Sequence, residues 1–151
     1  MSSRYTLMIA VGLLAVAPLR AFGQGPEALA RAVESYAQGM SLSADPSLVH
    51  RADFNGDGLE DVAAVLQSDA KSALVIFNAS QNGYRAYPLY ASLPGGPWRL
   101  DVVPPGRYRV LGQEGAVDLS SPALELVFPG RSSAMYVWRG NRYQVYGTES
   151  H

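Results

Sequence analysis

Oxygen-bearing side chains occupy positions 1, 3, 5 and 9 of one nine-residue segment, residues 53–61: Asp53, Asn55, Asp57 and Asp61. Calcium is a hard cation that takes about six to eight oxygen ligands, and a tight loop can direct alternate side chains toward one centre. The residue at position 7, Leu59, would contribute its backbone carbonyl. The segment therefore predicts a calcium-binding loop.

A solvated turn is the alternative interpretation of this segment, because Asn, Gly and Asp also favour turns. Three carboxylates so close together would, however, repel one another without a cation. Gly58 permits the tight turn that brings the second half of the loop back over the ion, and Gly56 relieves crowding. We expect the side chains of Phe54 and Leu59 to turn away from the ion and into the core.

The elements that must position this loop are one helix and a series of strands. An apolar stripe at helical spacing, including Leu29 and Val33, predicts a helix over residues 26–39. We expect it to pack on its own domain; a partner-binding or membrane-surface helix is the alternative. Short apolar or alternating runs between turns predict strands at 62–66, 73–77, 84–89, 98–103, 108–111, 123–128, 134–138 and 143–146.

Together these patterns predict a mainly β fold. We expect residues 24–151 to form one antiparallel β-rich domain with an N-terminal helix that covers one sheet face. Residues 72–77 resemble residues 133–138, and the apolar runs before them keep the same 61-residue offset. Two blade-like copies of one unit, or the ordinary similarity of two hairpins, would explain this. In the first case the second copy lacks the carboxylates, because the corresponding residues are Ser120, Ser121 and Pro122.

The carboxylate segment is not an EF-hand loop. An EF-hand needs a bidentate Glu at position 12, where this chain has Ala64. Here the last acid comes early, at Asp61, and a β-type run follows at once. Residues 52–66 therefore resemble the FG-GAP repeats, also known as VCBS or integrin-α-like repeats.

That resemblance implies a loop that joins two strands of a propeller blade and binds calcium. The ligand positions that match are Asp53, Asn55, Asp57, Leu59 and Asp61. The chain departs from the family pattern because it has one intact loop and no clear Phe-Gly or Gly-Ala-Pro signature. Two blade-sized units cannot close a propeller ring, so we expect a compact β-rich domain instead.

Residues 1–23 have the pattern of a secretory signal peptide. Arg4 gives the positive n-region, residues 7–17 form an uncharged apolar run, and the small Gly23 precedes the expected cleavage point before Gln24. An uncleaved anchor is the alternative, but the apolar run is shorter than the roughly 20 residues that a bilayer requires. We therefore expect a periplasmic or secreted protein.

Composition argues against several classes of function. The chain has 12 Lys and Arg against 13 Asp and Glu, so it lacks the basic excess typical of nucleic-acid-binding proteins. It has no cysteine, which excludes disulfides, thiolate metal sites and thiol catalysis. We expect no nucleic-acid partner and no stable membrane insertion of the mature chain.

Recognisable catalytic motifs are absent from the sequence, which has no Gly-x-Ser-x-Gly, phosphate loop or His-rich metal motif. His50 is expected on a strand surface, with a pH-sensitive neighbour of the carboxylates as the alternative, and His151 is the last residue. Glu60 and Asp61 are poor glycosidase partners, since adjacent strand residues point to opposite faces. We expect a non-catalytic binding or structural module; a hydrolase with an unrecognised site is an alternative.

Aromatic residues supply the other hypothesis, an unknown protein or saccharide ligand bound on a sheet face. The chain has nine Tyr and two Trp, residue types favoured at interfaces. Ordinary sheet core is the competing explanation. Three or more exposed on one face would favour saccharide binding, and the candidates are Tyr84, Tyr87, Tyr90, Trp98, Tyr108, Tyr136, Trp138, Tyr143 and Tyr146.

Intact-mass analysis of the exported protein tests the signal-peptide hypothesis. We expect an N-terminus at Gln24 and loss of processing in Gly23→Arg, because a signal peptidase requires a small residue before the cut. Gln24→Arg places the same charge one residue beyond the cut and is the processed control. An exported wild-type chain that keeps residues 1–23 would contradict the hypothesis.

Overall fold

The computed structural model describes residues 25–149. The predicted signal peptide and His151 lie outside the described residues. Within that range there is one α-helix, α1 (Pro26–Tyr36), and a short 3₁₀ turn at Pro46–Leu48. The strands are β1 (Ser41–Leu42), β2 (Val49–Ala52), β3 (Asp61–Gln67), β4 (Ser72–Ser80), β5 (Gly83–Tyr90), β6 (Arg99–Val103), β7 (Gly106–Arg109), β8 (Ala116–Leu119), β9 (Ala123–Val127), β10 (Ser132–Trp138) and β11 (Tyr143–Glu149).

The helix α1 begins at Pro26, whose missing N–H is not needed in the first turn. It ends at Tyr36, before the predicted end at Gly39. Leu29 and Val33 are buried against the first sheet, so the expected packing of this stripe on its own domain is confirmed. No helix within residues 25–149 is long and apolar enough to cross a membrane.

Two antiparallel sheets make up most of the fold, which confirms the predicted mainly β class. In sheet A, β3 pairs with β4 and β4 with β5, while β1 and β2 share the other edge of β3. In sheet B, the order is β6-β9-β10-β11. A separate two-stranded hairpin is formed by β7 and β8. The predicted strand at 108–111 is shifted to β7, because the Leu111 N–H bonds instead to Gly147 O on β11.

Sheet A is buried on both faces because its side chains alternate between two apolar layers. Ala63 and Val65 of β3 face sheet B, where they pack with Leu124 and Leu126. Val62 and Ala64 alternate with them along β3, so they point to the opposite face and pack against α1. This double burial explains why β3 reads as a continuous apolar run.

The layers are therefore α1, sheet A, sheet B and the β7–β8 hairpin. Val117 and Leu119 of the hairpin pack on Ala123, Met135 and Val137, which line the outer face of sheet B. Each sheet thus has its inner face against the other sheet and its outer face covered by a local element.

The sheets also stack with corresponding strands facing one another. Tyr87 on β5 contacts Trp138 on β10 and Tyr143 on β11, which places the β5 edge over the β11 edge. In sheet A, β2 pairs with β3, the first strand of the meander β3-β4-β5. In sheet B, β6 pairs with β9, the first strand of the meander β9-β10-β11. This common order is compatible with two copies of one unit; the internal repeat stays a prediction.

Candidate functional site

The carboxylate segment forms the connection between β2 and β3. Ala52 and Asp61 are directly paired across these antiparallel strands, so the loop leaves and re-enters sheet A at the same end. Asp61 is the first residue of β3, whereas Asp53, Asn55 and Asp57 lie in the loop itself. The four side chains predicted as ligands are thus held on one short connection.

The side chains at positions 1 and 3 converge on the same backbone group. The Asp57 N–H donates to Asp53 Oδ1 at 3.0 Å and to Asn55 Oδ1 at 3.1 Å. The second oxygen of Asp53 accepts from the Gly58 N–H at 2.8 Å. Two oxygens that share one donor must lie close together, so the loop brings these side chains to one centre.

The side chain at position 5 is tied to the same network. Asp57 Oδ1 accepts from the Leu59 N–H, and Asp57 Oδ2 accepts from Asn55 Nδ2, both at 2.9 Å. Gly56 and Gly58 have φ values of 72° and 86°, a region that side chains other than glycine rarely adopt. The tight turn predicted at Gly58 is confirmed, whereas the predicted relief of crowding at Gly56 stays a prediction.

The carboxyl group at position 9 is fully buried. Asp61 Oδ1 accepts from the Ala79 N–H on β4 at 2.8 Å, and Asp61 Oδ2 accepts from the Asn55 N–H at 3.2 Å. Burial raises the pKa of Asp61 to about 7 against the effect of these two bonds, and the negative charges of Asp57 and Asp53 raise it further. A cation held by the loop would offset this cost, because an opposite charge favours the ionised carboxyl.

The two apolar residues of the loop have different environments. Phe54 is fully buried in the core between the sheets, as predicted. The prediction for Leu59 is wrong: it is half-exposed and belongs to none of the buried clusters in the described chain. Phe54 is fixed instead by a contact across the sandwich, where Ser121 Oγ donates to Phe54 O at 2.9 Å. The left-handed Gly56 adjoins the same Ser121, so the loop contacts the connection between β8 and β9.

The donor chemistry fits a hard cation. Carboxylate, amide and backbone carbonyl oxygens are the ligands that calcium prefers, and the loop offers the first two in a converging arrangement. Within residues 25–149, no three His, Asp or Glu side chains are gathered into a ready-made metal cage. The three loop carboxylates, Asp53, Asp57 and Asp61, do not form such a cage by themselves, so the Asn55 amide and the Leu59 carbonyl would have to join them as ligands.

The remaining titratable neighbours are engaged elsewhere. His50 Nε2 lies 2.9 Å from Ser47 O, as part of the surface of β2. Glu60 pairs with Arg51 at 3.3 Å and is exposed. Sequence reasoning missed Asn78, the β4 residue before Ala79, which accepts from Tyr143 Oη at 2.6 Å. No local sequence signal marks this contact, since it joins residues of different sheets.

Most of the described Tyr and Trp side chains are buried or half-buried, some between the sheets and others on their outer faces. Tyr87, Trp138 and Tyr143 form a half-buried cluster with ring centroids 5.0–5.7 Å apart. Burial raises the pKa of Tyr143, with a smaller contribution from Asp61. Among the described Tyr and Trp residues, Tyr90 is the exposed one, at 38%. The described chain therefore lacks the face of three exposed aromatic residues that would favour saccharide binding.

Comparison with known proteins gives no relatives: no family model, no curated protein and no solved structure matches this chain.

The different burial of Phe54 and Leu59 gives a direct test of how the loop is oriented against the core. We expect Phe54→Ala to lower the free energy of unfolding by about 3–5 kcal/mol, because it opens a cavity between the sheets. Leu59→Ala is the matched control and should cost less than about 1 kcal/mol, because its side chain is already half-hydrated. Equal losses in urea denaturation would contradict the assigned orientations.

The two bonds to Asp61 predict a specific effect of an isosteric change. In Asp61→Asn the new amide N–H₂ must face one of two backbone N–H groups, which leaves a buried donor unpaired. We expect a loss of about 1–3 kcal/mol of unfolding free energy, measured by urea denaturation with chelator present at about pH 5, where the raised pKa keeps wild-type Asp61 neutral and the comparison isolates the hydrogen bonds. Asp57→Asn removes the same charge from an exposed site and should cost less. An Asp61→Asn protein as stable as wild type would exclude this bonding.

Proposed function

We propose that this chain is an exported, non-catalytic binding or structural module in which the β2–β3 loop holds one calcium ion. The observation that carries the proposal is the convergence of Asp53 and Asn55 oxygens on a single backbone N–H. An ordinary Asx turn accounts for the Asn55 contact. The Asp53 carboxylate on the same N–H adds a second, anionic oxygen beside it, an arrangement that suits a divalent cation. The ligands would be Asp53, Asn55, Asp57, Asp61 and the carbonyl of Leu59.

The role of the ion in this proposal is structural. It would neutralise the mutual repulsion of the loop carboxylates and hold the chain after β2 against the start of β3. The same loop carries Phe54 into the core and bonds to Ser121. Ordering the loop would therefore stabilise the contact between the two sheets as well as the loop itself.

The expected size of this stabilisation is modest. Extracellular modules bind calcium with dissociation constants of roughly 10⁻⁴–10⁻³ M. At about 1 mM free calcium and a dissociation constant near 0.1 mM, linkage adds about 1.4 kcal/mol to the free energy of unfolding. For a domain of this length that corresponds to a rise in melting temperature of about 5 °C.

Three observations support a non-catalytic role. Asp61 has a raised pKa, but both of its oxygens accept backbone N–H bonds and its side chain is shielded from solvent. Glu60 is exposed and is paired with Arg51. His50 faces a backbone carbonyl of its own segment. A general acid or base needs access to its substrate, which this arrangement does not offer.

Thermal unfolding with calcium, magnesium or chelator tests the proposal. We expect calcium alone to raise the melting temperature by about 5 °C, and Asp57→Ala to abolish that rise while the protein still folds. Glu60→Ala is the matched control, because it removes an adjacent carboxylate that is not a proposed ligand.

Either of two results would contradict the ligand assignment. One is an unchanged calcium-dependent shift in Asp57→Ala, and the other is loss of the shift in Glu60→Ala. The absence of any calcium response in the wild type would identify the loop as a turn stabilised only by its own hydrogen bonds.

A further inference from the structure

Exposed apolar side chains gather at one edge of the sandwich. Among the described residues four large apolar side chains are exposed, and three of them, Tyr90, Leu111 and Val145, lie along the β5 and β11 edge. Val145 is the most exposed of the four, at 58%. It pairs with the buried Tyr136, so it projects from the inner face of sheet B at a place that sheet A does not cover.

Two other sheet edges, β5 and β6, carry features that discourage pairing with a further strand. On β5, Pro88 lacks an N–H, and the register against β4 shifts between Leu74 and Val75. On β6, Arg99 and Asp101 form an exposed ion pair. Charged side chains, prolines and bulges are the usual means by which proteins protect sheet edges.

The edge strand β11 has none of these features between residues 143 and 148. That stretch has no charged side chain and no proline, and β10 pairs with β11 without a register shift. It is therefore a regular, uncharged edge strand with a large apolar side chain at its centre.

The direction of the free backbone groups on β11 follows from two hydrogen bonds. Arg142 O accepts from the Arg139 N–H within the hairpin, whereas Gly147 O accepts from the Leu111 N–H outside the sheet. Successive residues of a strand direct their N–H and C=O groups to opposite sides. Arg142 points toward β10, so Tyr143, Val145 and Gly147 all point away from β10, toward the free side of the strand. The N–H and C=O groups of Tyr143 and Val145 form the open edge.

We propose that this edge pairs with β11 of a second copy of the chain, in antiparallel orientation about Gln144. Tyr143 of one copy and Val145 of the other would then exchange both of their N–H···O bonds. The side chain of Val145 would lie beside Tyr143 of the partner and lose its exposure. The segment at Leu111, already bonded to Gly147, would limit the pairing to this short stretch.

The charges at the two ends of β11 favour a second copy in this orientation. Arg139 and Arg142 flank its beginning and Glu149 ends it. Antiparallel pairing brings the basic end of one strand toward the acidic end of the other, whereas parallel pairing would bring arginines together. Because the paired part of β11 carries no charge, the β11 strands of two copies can also pair without placing like charges opposite one another.

Sedimentation analysis over a micromolar to millimolar concentration series tests this proposal. We expect the wild-type mass to rise from monomer toward dimer, with or without calcium. Val145→Lys should weaken dimerisation by at least about tenfold, because each copy would bring an ammonium group against apolar side chains of the other. Val102→Lys, at an exposed apolar residue on the β6 edge, is the matched control and should still dimerise.

A second variant gives a readout that does not depend on destabilisation. In the proposed pair the two Gln144 residues face each other as a non-hydrogen-bonded pair, whose short Cα separation of about 4.5 Å suits a disulfide. Because the chain has no cysteine, Gln144→Cys should give a disulfide-linked dimer on mild oxidation. Asn82→Cys, in the exposed β4–β5 turn, is the control and should cross-link much less.

A wild type that stays monomeric throughout the series would overturn the proposal. A dimer that survives Val145→Lys, or equal cross-linking of the two cysteine variants, would also overturn it by placing the contact on another surface. Because dimerisation is measured in calcium and in chelator, failure of the calcium proposal would leave this result interpretable.

Discussion

A single buried carboxylate, that of Asp61, joins the parts of the molecule on which the candidate site depends. One of its oxygens holds the loop at the Asn55 N–H, and the other holds β4 at the Ala79 N–H. Burying an ionisable group is costly unless its charge is compensated, and here the burial raises the pKa of Asp61 to about 7. The residue therefore makes the position of the loop and the start of β3 mutually dependent.

That dependence extends across the sandwich through Phe54. Its ring fills the core between the sheets, while its carbonyl accepts a hydrogen bond from Ser121, 67 residues away in sequence. A loop that is anchored on one side by Asp61 and on the other by Phe54 has little freedom to move its carboxylates apart. The proposed cation would thus act on oxygens that protein packing already brings together, and its contribution to stability need only be modest.

The sequence predicts best those elements whose burial is itself visible as a pattern. Residues 62–66 and 73–77 are recognised as strands because both of their faces are covered and every residue is apolar. The short strands β1 and β8 escape prediction because too few residues alternate to give a signal. For β2, which contains His50 and Arg51, the strand state is imposed by pairing with β3 rather than by its own composition.

The same distinction applies to the candidate site. Its side chains lie within nine residues, so spacing and glycine placement are sufficient to identify the loop and the tight turn at Gly58. An apolar side chain is usually buried, which is why the sequence predicts Leu59 in the core. That prediction is wrong because Phe54 is the loop residue that fills the core between the sheets. Contacts such as Tyr143 with Asn78 depend on how the sheets stack, which no local pattern encodes.

The two sheets differ in the connection that leads into their consecutive antiparallel strands, β3-β4-β5 in sheet A and β9-β10-β11 in sheet B. Between β2 and β3 the chain forms the carboxylate loop, whereas between β6 and β9 it forms the β7–β8 hairpin, which folds over the outer face of sheet B. On the opposite side, α1 covers the outer face of sheet A. A sheet with apolar residues on both faces requires a cover on each, and these two elements provide it. Ser121, in the connection between β6 and β9, donates a hydrogen bond to Phe54 O in the β2–β3 loop. The connections of the two sheets therefore stabilise each other.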